Sequence, residues 1–143
     1  MLFRSGPLVR LWCDRRRGIG ADGVLLLERS GMADAAMRYF NADGGAADYC
    51  GNGARCTARY CLELGLGREG TVTLETAAGV QRGRRVPAGI EMHFGHVGAP
   101  GDWLALDAGE LTFRGRPVTA GVPHFVVETE VLEMVDVARW GAP

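Results

Sequence analysis

At 143 residues, 47% hydrophobic and 23% charged, the chain has the composition of a globular protein and not of a disordered tail. A formal net charge of −1 supplies no global field, so neither nucleic acid nor a membrane surface is expected as a partner. The cysteines Cys13, Cys50, Cys56 and Cys61 form no Cys-x-x-Cys pair, so neither a metal nor a disulfide framework is expected, and the compartment reads as reduced and cytoplasmic.

The opening Met1-Leu2-Phe3-Arg4-Ser5 has no structural logic; it reads as an assembly scar and is set aside. Leu8 to Cys13 is a short apolar piece, followed by Asp14-Arg15-Arg16-Arg17 and then Gly18-Ile19-Gly20-Ala21-Asp22-Gly23. Taken literally, this last run is the G-x-G-x-x-G of a dinucleotide-binding loop. Such a loop leaves a strand and opens a helix. This one follows an arginine run and leads into Val24-Leu25-Leu26-Leu27-Glu28, which has the length and flanking turns of a strand. Nucleotide binding is therefore not expected, and the glycines shape a loop. The arginines read as a solvated cluster, with reception of an acidic ligand as the alternative. Gly31 marks a turn, and Ala36 to Phe40 returns as a second strand, closing a hairpin.

Phe40-Asn41-Ala42-Asp43-Gly44 comes next, then Tyr49-Cys50-Gly51-Asn52-Gly53-Ala54-Arg55-Cys56. The pattern is a strand, a tight turn, and a cysteine at the mouth of a helix that continues to Leu64. A cysteine there meets unpaired backbone N–H groups and the positive end of the helix dipole, and both favour thiolate over thiol. The same donors suit a carboxylate. Gly51 and Gly53 remove side chains where a ligand has to approach the backbone. Taken alone, such a motif also reads as a structural cysteine in a glycine-rich helix start. All 16 basic residues are arginine, the mark of a coding bias that depletes asparagine, yet Asn41 and Asn52 both lie in this stretch and nowhere else. That company favours chemistry.

Ala54, Cys56, Ala58, Cys61, Leu62 and Leu64 lie on more than one side of the helix, so a helix buried nearly all round, closely wrapped by a sheet, is expected. Arg55 and Arg59 form a structural polar stripe, and Gly65 and Gly67 end the helix. From Thr71 the pattern turns to strands: Val72, Leu74 and Thr76 alternate with Thr73 and Glu75, and Ala78-Gly79 turns. Ile90, Met92 and Phe94 alternate with Glu91 and His93, a half-buried antiparallel strand. His93 and His96 are spaced for a helix face and not for a strand, which argues against a metal pair.

Gly98 to Gly101, with Pro100, reads as a boundary. Beyond it, Trp103 to Leu106 and Phe125 to Val131 read as strands of a second unit. A loop through Pro117 and a Gly121-Val122-Pro123-His124 turn are expected between them, and Glu133 to Arg139 suits a short helix. Short turns and one long helix predict an α+β fold with mainly antiparallel sheet. The division expected is a first lobe over 6–98 and an incomplete second over 99–143.

Taken in order, the motifs Gly18 to Gly23, Phe40 to Gly44, Cys50 to Cys56 and Pro123-His124 resemble diaminopimelate epimerase, from Trp12 through most of the chain. The proline racemases are similar but usually carry histidine where Asn52 stands. The resemblance implies paired lobes, each a central helix partly wrapped by antiparallel sheet, with substrate between them. It implies a pyridoxal-independent isomerase that takes no cofactor and interconverts LL- and meso-diaminopimelate, a small amino-acid substrate; a homodimer is compatible with a full-length parent. Cys50 then matches one of two opposed cysteines, one removing the α-proton as thiolate and the other returning a proton as thiol. Asn41 and Asn52 match substrate-binding asparagines, Gly51 offers backbone at the helix mouth, and His124 matches a histidine placed near the first cysteine.

This chain departs from the family pattern in several places. The family's initial Gly-Asn-Asp-Phe stretch is missing, and with it a strand and a substrate asparagine. Val122 stands where an asparagine often precedes Pro-His. The second cysteine belongs to a Cys-Gly-Thr-Gly context that lies outside the chain; Cys56 and Cys61, further along the helix of Cys50, cannot reach the opposite face of a shared substrate. The expectation is a chain truncated at both ends, inactive alone and prone to aggregate through an exposed sheet edge and uncovered apolar surface. The competing classes are a non-enzymatic binding or structural module that keeps the fold, and a thiol oxidoreductase, which the missing resolving-cysteine spacing disfavours.

Overall fold

The computed structural model describes residues 6–109 and 111–140, so the expected scar at Met1 to Ser5 lies outside the described residues. Two compact units divide the chain, one extending to Gly95 and the other beginning at His96. The first opens with a helix, α1 (Gly6–Cys13), where an apolar piece with no helix was expected. Val9 and Cys13, four apart, bury one face of it against the sheet.

Strands β1 (Gly23–Glu28), β2 (Ala35–Asn41), β3 (Ala46–Ala47), β4 (Thr71–Thr76), β5 (Gly79–Val86) and β6 (Gly89–His93) form one sheet. They run in the order β1-β2-β4-β5-β6, with β3 paired to β2. The predicted hairpin is present as β1 antiparallel to β2, with Leu25 opposite Tyr39. The glycine-rich run after α1 is a loop that leads into β1, as its context required. Sequence reading passed over β5. Its Gln81-Arg82-Gly83-Arg84-Arg85 carries too few apolar residues to show a strand period, and it forms because β4 and β6 pair with it on both sides.

The one long helix, α2 (Gly51–Glu63), joins the β2–β3 hairpin to β4, making β2 and β4 parallel neighbours at Ala35↔Leu74 and Ala36↔Glu75. Strands β1, β2, β4, β5 and β6 all contact α2, so the sheet curls around it. The resulting mainly antiparallel α+β lobe is the expected class. The helix is less enveloped than expected. Gly53, Ala54, Thr57, Ala58 and Cys61 are buried, but Cys56 and Tyr60 face solvent, because small residues repeat along one stripe only. On that stripe the packing is close: a Cβ on Gly83 of β5 would stand 2.6 Å from the Ala58 Cβ. The core beneath consists of Ala35, Ala58, Cys61, Val72 and Leu74, with Leu27, Leu62, Ile90 and Met92 packed against it.

The helix ends as its glycine predicted. Gly65 takes φ +75°, its N–H reaches the Leu62 carbonyl at 3.3 Å, and the Leu66 N–H reaches Cys61 at 2.9 Å, the paired bonds of a Schellman cap. A second device ties β4 to the start of β2: the Asp34 carboxylate accepts the Thr73 N–H and hydroxyl, both at 2.7 Å.

The second unit is a three-stranded antiparallel sheet, β7 (Leu104–Ala108), β8 (Leu111–Ala120) and β9 (Val122–Val127). The expected loop through Pro117 is the interior of β8. Proline is tolerated there because β7 pairs with β8 only up to Gly115, and beyond it Pro117 serves as an acceptor, its carbonyl taking the Gly101 N–H at 2.8 Å. The expected turn shrinks to Gly121, at φ +75°, and Val122 to His124 already belong to β9. The expected terminal helix is split into a 3₁₀ turn (Leu132–Met134) and α3 (Val137–Trp140), separated by an extended Val135. Among the described residues, no helix is long and apolar enough to cross a membrane.

Candidate active site

The Asn-Ala-Asp-Gly stretch forms the turn that sends the chain back toward α2. The Asn41 N–H donates to the Gly45 carbonyl and the Gly44 N–H to the Asn41 carbonyl, each at 2.8 Å. The Asp43 carboxylate accepts the Gly45 N–H at 2.7 Å. This turn sets β3 beside Tyr39 and Phe40, and three residues after Ala47 the chain reaches Cys50.

Cys50 is the N-cap of α2. Its backbone is extended (φ −138°, ψ 107°), its carbonyl accepts the Ala54 N–H at 2.8 Å, and its Sγ accepts the Gly53 N–H at 3.3 Å. The Gly53 N–H and the positive end of the helix dipole thus both face the sulfur. No acidic residue occupies the first turn to offset them. A Cβ on Gly53 would lie 2.8 Å from Leu25 Cδ2 and 3.4 Å from Cys50 Sγ, so glycine spares the Leu25 side chain a shift.

The other cysteines are placed differently. Cys13 and Cys61 are buried, Cys56 is exposed, and burial, followed by the nearby Asp34 charge, pushes the Cys61 thiol up. Cys50 alone of the four combines partial exposure with a backbone donor to its sulfur.

Gly51 leaves the helix mouth open, since a Cβ there would meet only the Tyr49 ring, at 3.7 Å. Asn52 is exposed beside it; its side-chain oxygen accepts from the Arg55 guanidinium, and its amide N–H donors are not engaged in that bond. Arg59 pairs with Glu63 at 2.9 Å, the structural role expected of that stripe. Asn41 is exposed at the end of β2. The structure therefore gathers Cys50, Gly51 and Asn52 at one helix mouth and sets Asn41 at the turn leading there, while His124 lies exposed on β9 of the other unit. The arginine run is solvent-facing, with Arg17 bound to Asp14 at 2.7 Å and Arg15 to Asp22 at 2.6 Å.

Two phenols near the thiol escaped sequence reading. Tyr49 is buried, its ring meets Phe94 edge-on at 5.5 Å, and its hydroxyl has no hydrogen-bond partner. Burial, and then the charge of Cys50, raise its pKa. Tyr39, inward on β2, donates to the Asp22 carbonyl at 3.3 Å. Strand alternation from Met37 was the available signal for Tyr39, since every second residue of β2 faces the helix.

The first unit is thus a curled, mainly antiparallel sheet around a helix capped by a cysteine. The fold is similar to that of a hydroxyproline epimerase from Agrobacterium vitis, crystallised with trans-4-hydroxy-L-proline. That likeness has a TM-score of 0.62 at 22% identity and covers 99% of this chain and 43% of the other. A family model described as diaminopimelate epimerase matches residues 2–90, and the chain belongs to that family. Diaminopimelate epimerases similar to it include one from Parabacteroides distasonis, 34% identical over 91% of this chain and 50% of the relative. Another, from Desulforudis audaxviator, is 37% identical over 95% of this chain and 55% of the relative. A shorter match, 56% identical over 48% of this chain, is to the enzyme of Caldanaerobacter subterraneus. The chain thus spans about half the length of the curated relatives it matches over most of its own length.

Proposed function

We propose that this chain is the thiol-bearing lobe of a cofactor-independent amino-acid epimerase that interconverts LL- and meso-diaminopimelate, with Cys50 as one of its two proton-transferring cysteines. One observation carries the reading. In a member of the diaminopimelate epimerase family, the half-buried Cys50 sulfur caps the long helix and holds the Gly53 N–H at 3.3 Å.

The chemistry asks for such a place. An amino-acid α-proton is very weakly acidic, and without a cofactor to delocalise the carbanion the acidity has to come from fixed dipoles around the substrate carboxylate. The mouth of α2 offers unpaired N–H groups at Gly51 and Asn52, with little side chain in the way at Gly51. Inverting a stereocentre needs a base on one face and an acid on the other, and thiols serve because surroundings can tune each toward neutrality. Asn41 and Asn52 are assigned to substrate binding, and His124 is assigned as the accompanying catalytic histidine by resemblance alone. Cys56, exposed on a solvent face, and Cys61, in the core, are not suited to act as the second thiol.

The test is exchange of the α-proton of diaminopimelate in deuterated water. A full-length parent is expected to exchange and epimerise, its Cys50→Ser variant to do neither, and the present chain alone to give no turnover. Full turnover by the isolated chain would refute the need for a second lobe. An unaffected Cys50→Ser parent would refute the assignment of Cys50.

A further inference from the structure

Two arginines stand one turn apart on the exposed side of α2 and are held differently. Arg59 is neutralised by Glu63 at 2.9 Å, as Arg38 is by Glu28 at 2.7 Å on the sheet. Among the described residues no carboxylate pairs with Arg55. Its guanidinium turns back along the helix and donates to the side-chain oxygen of Asn52, three residues earlier. As a device for stability this placement is poor. The cation is drawn to the first turn, where the helix dipole presents its positive end and no acidic residue offsets it. A positive charge is disfavoured there until an anion joins it.

What the bond does is fix the amide. A carboxamide carries its acceptor and its donors on opposite arms, and a guanidinium only donates. Arg55 therefore holds Asn52 Oδ1 on its own side and turns Nδ2 away from itself. Among the described residues nothing accepts from that Nδ2 group. Asn52 thus offers donors alone at the helix mouth, beside the open backbone at Gly51. Without the arginine, a half-turn of the amide would offer the acceptor instead. Donors suit a carboxylate and repel an ammonium group, so for an amino acid, which carries both, the orientation of this one amide decides which end enters.

We propose that Arg55 is a positioning residue that locks the Asn52 amide with its donors toward the substrate carboxylate at the mouth of α2. The arginine acts through Asn52. The proposal deepens the reading of Asn52 as a substrate-binding residue and rests on it.

The lock is tested on the 143-residue chain without any turnover. Its side-chain amides are those of Asn41, Asn52 and Gln81, so a nitrogen–proton correlation spectrum holds three NH2 pairs, and Asn52→Ala identifies one of them. Arg55→Met, which keeps the stem and removes the donors, should shift the Asn52 pair. Arg59→Met, which removes the same charge one turn further on, should leave it in place. The pair of the buried Gln81 reports that each variant is folded. An unmoved Asn52 pair in folded Arg55→Met overturns the proposal.

In a full-length parent, Arg55→Met should lower kcat/KM for diaminopimelate about fivefold, the effect of one misdirected hydrogen bond. It should lower it no further once Asn52→Ala is present. An equal fall in both backgrounds, the mark of an arginine that only supports the helix, overturns the proposal and leaves the assignment of Asn52 standing. Unchanged kcat/KM in Asn52→Ala alone overturns the assignment of Asn52, and the proposal with it.

Discussion

Replacing Cys50 by serine or by alanine separates the thiol's chemistry from its place at the head of α2. The sulfur accepts the Gly53 N–H at 3.3 Å, and Gly53 is buried, so water cannot readily replace a lost acceptor. Serine is a preferred N-cap and keeps an acceptor there; alanine has none, and losing a cap of this kind costs about 1–2 kcal/mol. In a unit of this size each kcal/mol moves the melting temperature by about 4–8 °C. Cys50→Ala should therefore melt about 5–15 °C below Cys50→Ser, with the native thiol, a weak acceptor, between them. Thermal unfolding followed by circular dichroism at fixed pH reads the difference. In a full-length parent both variants should have lost α-proton exchange, so stability and activity part company. An alanine variant that melts at or above the serine variant would show that the sulfur does not cap the helix, and the argument from the helix mouth would lose its geometric basis.

Other expectations concern how the sheet grips the helix. Gly83→Ala places a methyl 2.6 Å from the Ala58 Cβ and 3.1 Å from Met92 Sδ, so it should destabilise by about 1–3 kcal/mol in a denaturant titration; a neutral result would mean that β5 does not approach α2 this closely. The Asp34 carboxyl is held below its ordinary value by the Thr73 N–H and then the Thr73 hydroxyl. Its contribution to stability is thus complete above the unfolded-state value of about 3.9 and is lost as pH falls through the lower folded value. Asp34→Asn should flatten the loss of melting temperature below about pH 4, and an unchanged acid limb would count against the latch.

The parts of the fold legible along the chain were those with local signatures. Val24 to Glu28 and Ala36 to Phe40 showed as a hairpin because apolar runs flanked a turn, and Gly65 marked the helix end because only its backbone suits the left-handed cap. Strand β5 was hidden by its arginines, β8 by Pro117, and α1 by its brevity. Each exists through neighbours supplied by distant parts of the chain. At the site, Cys50, Gly51, Asn52 and Asn41 were legible as a motif, while Tyr39 and Tyr49 carried no motif and emerged only from packing.

By itself the sequence determined the family and the placing of Cys50 at a helix start. A cysteine, glycines and asparagines in that order dictate a thiol at a helix start whatever else surrounds them, because capping and the helix dipole act within one turn. The tertiary structure decided which cysteine is held by a backbone donor yet left partly open and which is buried in the core. Those depend on strand register and on how closely the sheet curls around α2. Register pairs residues far apart in sequence, so Leu25 comes to lie opposite Tyr39 only once β1 and β2 have aligned, and it is Leu25 whose Cδ2 then stands by Gly53.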